Sequence, residues 1–305
     1  MAIPAILLLI FNRPKHLGAV MNALREHRPP KLYVAADGPR DLPGEAERCE
    51  EARRVATSVD WPCEVQTLFR EKNLGCKVGV STAIDWFFSH EEEGIILEDD
   101  CVPSQSFFTY CAELLDRYRN DTRIMCVSGD NLQQGRRVSE DSYYFSSYVH
   151  CWGWATWRRA WNLYDVDMSL WPDFKASGLM RAFSHTNSKF ELEWTKTFDA
   201  TFDGRVNTWD YQFLFACWAN NALTCLPSKN LVSNIGFDEF ATHTLDNSSS
   251  SANIVAYDLD FPLKHPQFIA PNWAADRFED EVCYGVASKT RNSIFKIIKN
   301  YIVQA

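Results

Sequence analysis

Three features are missing from this 305-residue sequence: a basic excess, a long hydrophobic run and any paired cysteine spacing. The formal net charge is −9 and no basic face dominates. That excludes a duplex nucleic-acid binder, because phosphate neutralisation needs a basic face, and leaves anionic ligands to be handled locally, through a cation. The apolar run Ile6 to Ile10 is interrupted by Asn12-Arg13-Pro14, too soon for a signal h-region or a membrane span. With no secretion signal visible, the expected location is the cytoplasm. Ten cysteines are scattered without a CxxC pair or metal-ligand spacing, which argues against zinc. They read as reduced, mostly buried thiols. No Pro/Gly/Ser-rich linker divides the middle of the chain, so one large domain with a late extension is expected.

What is present is a large core. A hydrophobic content of 46% with 14% aromatics excludes disorder as a global state. The first half alternates apolar strands with segments of helical periodicity, the signature of an α/β fold with a mostly parallel, Rossmann-like sheet and crossover helices. The expected strands are Ala5–Ile10, Leu32–Ala36, Glu64–Phe69 and Gly94–Leu97. Leu17, Val20, Met21 and Leu24 recur at helical spacing after the first strand, and Val80, Ile84, Phe87 and Phe88 after the third. A third stripe, Phe107, Phe108, Cys111, Leu114, Leu115 and Tyr118, follows the fourth, with Pro103-Ser104 as its helix start. From Tyr143 the alternation is lost and tryptophan accumulates, which suits an acceptor side of mixed α/β structure.

Open α/β sheets bind ligands outside the carboxyl ends of their strands. The polar residues there are Asn12-Arg13, Asp37-Gly38, Asn73 onward and Glu98-Asp99-Asp100. An isolated acidic triplet is more often a solvated turn, but one delivered by a buried strand can hold a hard cation through carboxylate oxygens. Such a cation, Mn²⁺ or Mg²⁺, would neutralise a departing nucleotide diphosphate. Successive extended residues point to opposite sides, so the three carboxylates cannot all face one ion. Asp100 and Asp99 are the expected metal-proximal and ribose-proximal groups, with Glu98 partly structural.

In order, Ile6 to Arg13, Ala36-Asp37-Gly38, Glu98-Asp99-Asp100 with Phe107-Phe108, Trp152-Gly153-Trp154 and Trp209-Asp210 resemble the N-acetylglucosaminyltransferase I type of GT-A glycosyltransferase. The resemblance covers roughly residues 3 to 245; each motif is weak alone and their order is specific. Bacterial proteins with a similar Trp-Gly-Trp-Ala-Thr-Trp run are the nearer look-alikes. The resemblance implies a GT-A catalytic domain over 1–285, with a nucleotide-binding half at 1–130 and an acceptor half at 131–285. It further implies inverting transfer from a UDP-sugar, such as UDP-GlcNAc, to a hydroxyl of a glycan or lipid-linked acceptor, with Mn²⁺. Arg13 and Asp37 would contact the nucleotide, Asp37 on the uracil side. Asp99 would meet the ribose or sugar and share the metal site with Asp100, the direct ligand. Asp210, beside Trp209, would be the catalytic base.

Each residue also has a plainer reading. Pro14 suits the first position of a helix, so Asn12-Arg13-Pro14 can be a helix entry. Asp37-Gly38-Pro39-Arg40 is a turn sequence. Lys77, at the start of the third crossover helix, either reaches a phosphate or is a surface lysine. Asp210 can be a helix cap, and general-base assistance would be worth on the order of 10² to 10⁴ in rate. Trp154, Trp157 and Trp161, at i, i+3 and i+7, read more often as a buried helix stripe than as a sugar platform, although Trp152 or Trp154 can border a sugar where Gly153 permits close approach. The polar stretch 238–253, with His243 and Ser248 to Ser251, reads as a loop able to close over a donor, His243 touching the diphosphate or the metal. The tail 286–305 reads as a basic amphipathic helix, on an anionic membrane surface or on the protein's own core.

Two competing readings remain. A sugar-1-phosphate nucleotidyltransferase shares the sheet and the metal but needs a Gly-rich loop after the first strand, and here no glycine precedes Gly18. A non-catalytic carbohydrate-binding module gives no reason for the triplet and Asp210 to occur together.

Overall fold

The computed structural model describes residues 3–184, 187–237 and 254–286. His243, Ser248 to Ser251 and the tail from residue 287 lie outside the described residues.

β1 (Ile6–Ile10), β2 (Lys31–Ala36), β3 (Glu64–Phe69) and β4 (Glu93–Glu98) alternate with α1 (Pro14–His27), α2 (Glu45–Thr57) and α3 (Gly75–His90). A short strand, β5 (Cys101–Pro103), and α4 (Gln105–Tyr118) lead to β6 (Ile124–Ser128), β7 (Tyr143–Ser146) and β8 (Trp154–Trp157). Five helices follow, α5 (Arg158–Trp161), α6 (Trp171–Ala176), α7 (Leu179–Phe183), α8 (Ser188–Phe202) and α9 (Asp210–Ala219). Then come β9 (Leu223–Pro227), β10 (Val232–Asn234) and α10 (Trp273–Val282).

Eight strands form one sheet in the order β3-β2-β1-β4-β8-β6-β9-β7. β1 to β4 are mutually parallel, β8 runs against both β4 and β6, β6 and β9 are parallel, and β7 runs against β9. This is the mostly parallel α/β architecture expected from the alternation.

Strand side chains alternate between faces, and the sheet uses both. Ile6, Leu8 and Ile10 of β1 join one core with Leu17, Val20, Met21 and Leu24 of α1 and the aromatic stripe of α4. Leu7 and Leu9 join the other, with Ile84, Phe87 and Phe88 of α3 and Phe213 of α9. A third, aromatic core gathers Trp171, Phe174, Trp194, Phe198, Phe215 and Trp218 from α6, α8 and α9.

The tryptophan stripe differs from expectation. Trp154 and Trp157 stand in β8, and their odd separation sends them to opposite faces of the sheet, Trp157 into the first core and Trp154 into the second. Three residues at helical spacing were too few to outweigh pairing with two strands, and the aromatic and β-branched content of Trp-Ala-Thr-Trp suits a strand. Strands also occur beyond the four expected: β6 before Tyr143, and β7 and β9 from Tyr143 onward, where the alternation was lost, carry runs of four or five residues. None of the ten cysteines is in a disulfide, and six of them are buried. No described helix is long and apolar enough to cross a membrane.

Candidate functional site

The carboxyl ends of β1, β2 and β4 open onto a cavity of about 650 Å³, within the ~300–1,000 Å³ of small-molecule sites. One wall is Phe11 and Arg13 after β1, Asp37 after β2 and the first turns of α3; Glu98, Asp99 and Asp100 form the floor. Trp152, Asn207 to Tyr211 and the segment Asn234 to Phe237 complete it.

The triplet is fixed at both ends. Glu98 is the last residue of β4, held beside β1. After Asp100 the chain enters β5, paired antiparallel with β10, and the Ile235 amide donates to the Asp100 carbonyl at 2.9 Å. Asp99 Oδ2 accepts from the Phe11 amide at 3.0 Å. Asp99 Oδ1 and Asp100 Oδ2 share one cation, Arg13 Nη2, at 2.9 and 2.8 Å. Arg13 reaches them because it sits between β1 and Pro14, the first residue of α1.

Burial sets the charge states. Glu98 is held well above the usual carboxylate range, first by burial and then by the neighbouring Asp100 and Asp99. Asp99 is also raised by burial, against the pull of Arg13. Burial works against the charge on Arg13, but Asp99, Asp100 and Glu98 outweigh it and hold the guanidinium above its ordinary range. Cys76, on the α3 wall, is pushed up to about 12, mainly by burial, and offers a neutral thiol.

Asp210 opens α9 on the side of Trp209 and Thr208. Its Oδ1 accepts from the Thr208 hydroxyl and, at 3.0 Å, from the Tyr211 amide. A smaller cavity of about 40 Å³ lies behind it, lined by Cys151, Tyr211 and Tyr284.

Asp37 lines the cavity and also organises it. Its carboxylate accepts from the Gly38 amide at 2.9 Å and from the Leu74 and Gly75 amides at 2.9 to 3.0 Å, closing the start of α3. Lys77, expected either to reach a phosphate or to be a surface lysine, is not among the lining residues, and its Nζ lies 4.0 Å from Asp167 Oδ1. Trp154 is likewise kept out of the site. It is fully buried in β8 and stacked on Trp209 at 5.6 Å between centroids, so Trp152 is the tryptophan of that run which borders the cavity.

The turn before β8 is built tightly. Gly153 has φ of +78°, and a Cβ there would meet Val232 Cγ2 at 2.7 Å. Asp130 Oδ2 accepts from the Trp152 amide at 3.0 Å. Burial pushes the Asp130 carboxyl up to about 8. Beside it, His150 Nε2 meets Glu279 Oε2 at 3.0 Å.

Three residues lining the cavity, Arg70, Arg40 and Gly236, were not expected, nor was Asp130, which holds the Trp152 amide from outside the lining. Arg70 follows β3 directly, so the strand-end rule would have found it; it lines the cavity and donates to Thr82 at 2.6 Å. Arg40, visible only as part of a turn, lies 5.3 Å from the Phe11 ring centroid and is gripped by the fully buried Glu45. Asp130 and Gly236 gave no sequence signal. A Cβ on Gly236 would lie 1.9 Å from Asp100 Oδ2 and 2.6 Å from Arg13 Nη1.

A divalent cation fits this donor set if the ligand helps to hold it. Among the described residues no group of three or more His, Cys, Asp or Glu could hold a metal. Small divalent cations are commonly held by one or two carboxylates with substrate phosphates and water. Asp99 has both oxygens engaged, by Phe11 and Arg13. Asp100, on the cavity floor with spare lone pairs, is the residue that would hold the cation.

No protein-family model matches the chain, and no curated protein does. Among solved structures, a Pyrobaculum calidifontis mannosyltransferase in complex with GDP-Man and Mn²⁺ is similar at 14% identity and TM-score 0.36, over 51% of this chain. The chain spans only 45% of that protein's length. Mouse xyloside xylosyltransferase 1 is similar at 12% identity and TM-score 0.34, over 70% of this chain and 80% of its own. The 4-diphosphocytidyl-2C-methyl-D-erythritol synthase of Anaerococcus prevotii is similar at 9% identity and TM-score 0.33, over 59% and 84%. At these scores function must be read from the cavity and not from the likeness.

Proposed function

We propose that the chain is an inverting, metal-assisted glycosyltransferase that moves a sugar from a nucleoside diphosphate donor, UDP-linked, to a hydroxyl of a glycan or lipid-linked acceptor. The observation that supports it is one cavity lined by both the acid cluster Glu98-Asp99-Asp100 with Arg13 and the carboxylate of Asp210. An inverting transfer needs those two things: charge neutralisation at the leaving diphosphate and one base on the opposite side.

The nucleoside lies along the β1 and β2 ends, where Asp37, Gly79, Val80 and Ala83 form a narrow wall and Arg40 and Arg70 add positive charge. Arg13 faces the diphosphate. Asp100 would hold Mn²⁺ or Mg²⁺, which supplies Lewis-acid neutralisation of the departing phosphate when bound. Asp210 takes the proton from the acceptor hydroxyl as its oxygen bonds to the anomeric carbon and the diphosphate leaves. Oδ1 is held by Thr208 and Tyr211, so Oδ2 is the oxygen assigned to that proton. Trp152 borders the sugar, and its apolar ring face suits a pyranose. The donor sugar fitting the family resemblance is N-acetylglucosamine.

The test is UDP release from a panel of UDP-sugars with Mn²⁺, comparing the wild type with Asp210→Asn. The variant should lose on the order of 10² to 10⁴ in rate and keep nucleotide binding. Pyrophosphate release from UTP and a sugar 1-phosphate with no UDP release from any UDP-sugar, or full turnover by the variant, would overturn the reading.

A further inference from the structure

The acid pair already carries a cation of its own. Arg13 Nη2 lies 2.9 Å from Asp99 Oδ1 and 2.8 Å from Asp100 Oδ2, and the side chains are 14%, 4% and 7% exposed. Water therefore screens this contact little, and loss of either partner would leave a buried charge unpaired. Gly236 closes the far side: a Cβ there would stand 1.9 Å from Asp100 Oδ2, so its backbone rests directly on the pair. An ion can approach Asp100 only from the cavity. There it meets a single available carboxylate that a guanidinium already occupies, and two positive charges on one carboxylate repel each other.

We propose that Arg13 is the resting counter-ion of the acid pair and competes with a divalent cation for Asp100. A cation then binds Asp100 well only together with a diphosphate, whose negative charge compensates both cations and draws the guanidinium toward itself. The backbone of Arg13 need not move. Its carbonyl accepts from the Leu17 amide at 3.1 Å, and β1 and α1 hold the chain on either side, so the exchange is a side-chain rotation. The coupling to diphosphate rests on the nucleotide-donor reading above; the competition between Arg13 and the cation does not.

The experiment is Mn²⁺ titration of the full chain, read from the electron paramagnetic resonance of free Mn²⁺, with and without UDP. In the wild type, UDP should tighten Mn²⁺ binding by roughly tenfold or more, within the usual range of coupling between sites. Arg13→Met and Arg13→Gln remove the charge and should bind Mn²⁺ without UDP roughly tenfold tighter than the wild type, the benefit of UDP shrinking to match. Arg13→Lys should keep the wild-type pattern, and Asp100→Asn should abolish Mn²⁺ binding throughout. Circular dichroism confirms that each variant is folded. Neutral variants that bind Mn²⁺ no better than the wild type would overturn the proposal. So would a wild type that holds Mn²⁺ equally well with and without UDP, a comparison that needs no variant. Failure of the wild type to bind UDP with either metal would sink the donor reading and the coupling, and the Mn²⁺-only comparison would still decide the competition.

Discussion

Gly236→Ala is a one-carbon change placed against the charged centre of the site. The added Cβ would lie 1.9 Å from Asp100 Oδ2, 2.7 Å from its Cγ and 2.6 Å from Arg13 Nη1. Ordinary contact needs about 3.5 Å, so one side must yield by roughly 1.5 Å. If Asp100 yields, its 2.8 Å bond to Arg13 opens beyond hydrogen-bond range. A charge-assisted hydrogen bond lost in a buried place costs ~1.5–3 kcal/mol. If the backbone after β10 yields, the overpacking cost is similar, ~1–3 kcal/mol. Either route should lower Tm by roughly 2–5 °C. On the proposed function it should also weaken Mn²⁺–UDP binding by roughly tenfold or more, because the same atoms would hold the ligand. Differential scanning fluorimetry with and without UDP and Mn²⁺ reads both effects in one assay. An alanine variant with unchanged Tm and an unchanged ligand-induced shift would refute the placement of Gly236 on the acid pair.

Other expectations follow from the packing around the site. Asp130 ionises near 3.8 when unfolded and is raised to about 8 in the fold, first by burial. The folded state binds the extra proton between those values, so wild-type stability falls as pH rises through that window. Asp130→Asn should therefore gain on the wild type at up to ~1.4 kcal/mol per pH unit from pH 5 to 8 in urea unfolding, and a difference flat with pH would contradict this. Glu45 is lowered to about 2, chiefly by hydrogen bonds from Arg40. Its contribution is present above about 4.5 and lost as pH falls toward 2. Glu45→Gln should thus cost ~1.5–3 kcal/mol at pH 7, and the gap should close in acid. Trp154→Ala should cost ~3–5 kcal/mol and leave sugar preference unchanged, measured by unfolding and by a donor panel. Trp152→Ala should do the reverse, changing donor or acceptor KM at nearly constant Tm.

The strands β1 to β4 that bound the cavity were readable because each is a short apolar run followed by a polar residue, and the parallel sheet buries both faces. Their expected and observed limits agree at Glu64–Phe69 and differ by about one residue at the other three. The contents of the site were partly readable for the same reason: Arg13, Asp37 and the triplet stand at strand ends, and the strand-end rule finds such residues. β8 was not readable. Four residues cannot display a period, and its structure comes from two flanking strands separated from it in sequence. Sequence alone leaves Trp154 between a buried stripe and, like Trp152 beside Gly153, a sugar-facing ring; the fold stacks it on Trp209. Gly236 and Asp130 act through contacts to residues far away in the chain, and local sequence carries no trace of those.

The reversed strand β8 also bears on how the chain is made. Until Trp154 to Trp157 emerge, β4 has a neighbour on one edge only, β1, and its apolar residues Ile95 to Leu97 end at an unpaired row of backbone groups. That partner arrives roughly 60 residues later, a wait of ~3–12 s at ~5–20 residues per second of synthesis. During this interval the nascent amino-terminal half presents a hydrophobic sheet edge of the kind that recruits other chains. A fragment ending at Asp130 should therefore aggregate when expressed alone. Adding the segment through Trp157 should still fall short, because β6 gains its second neighbour, β9, only when the chain reaches Pro227.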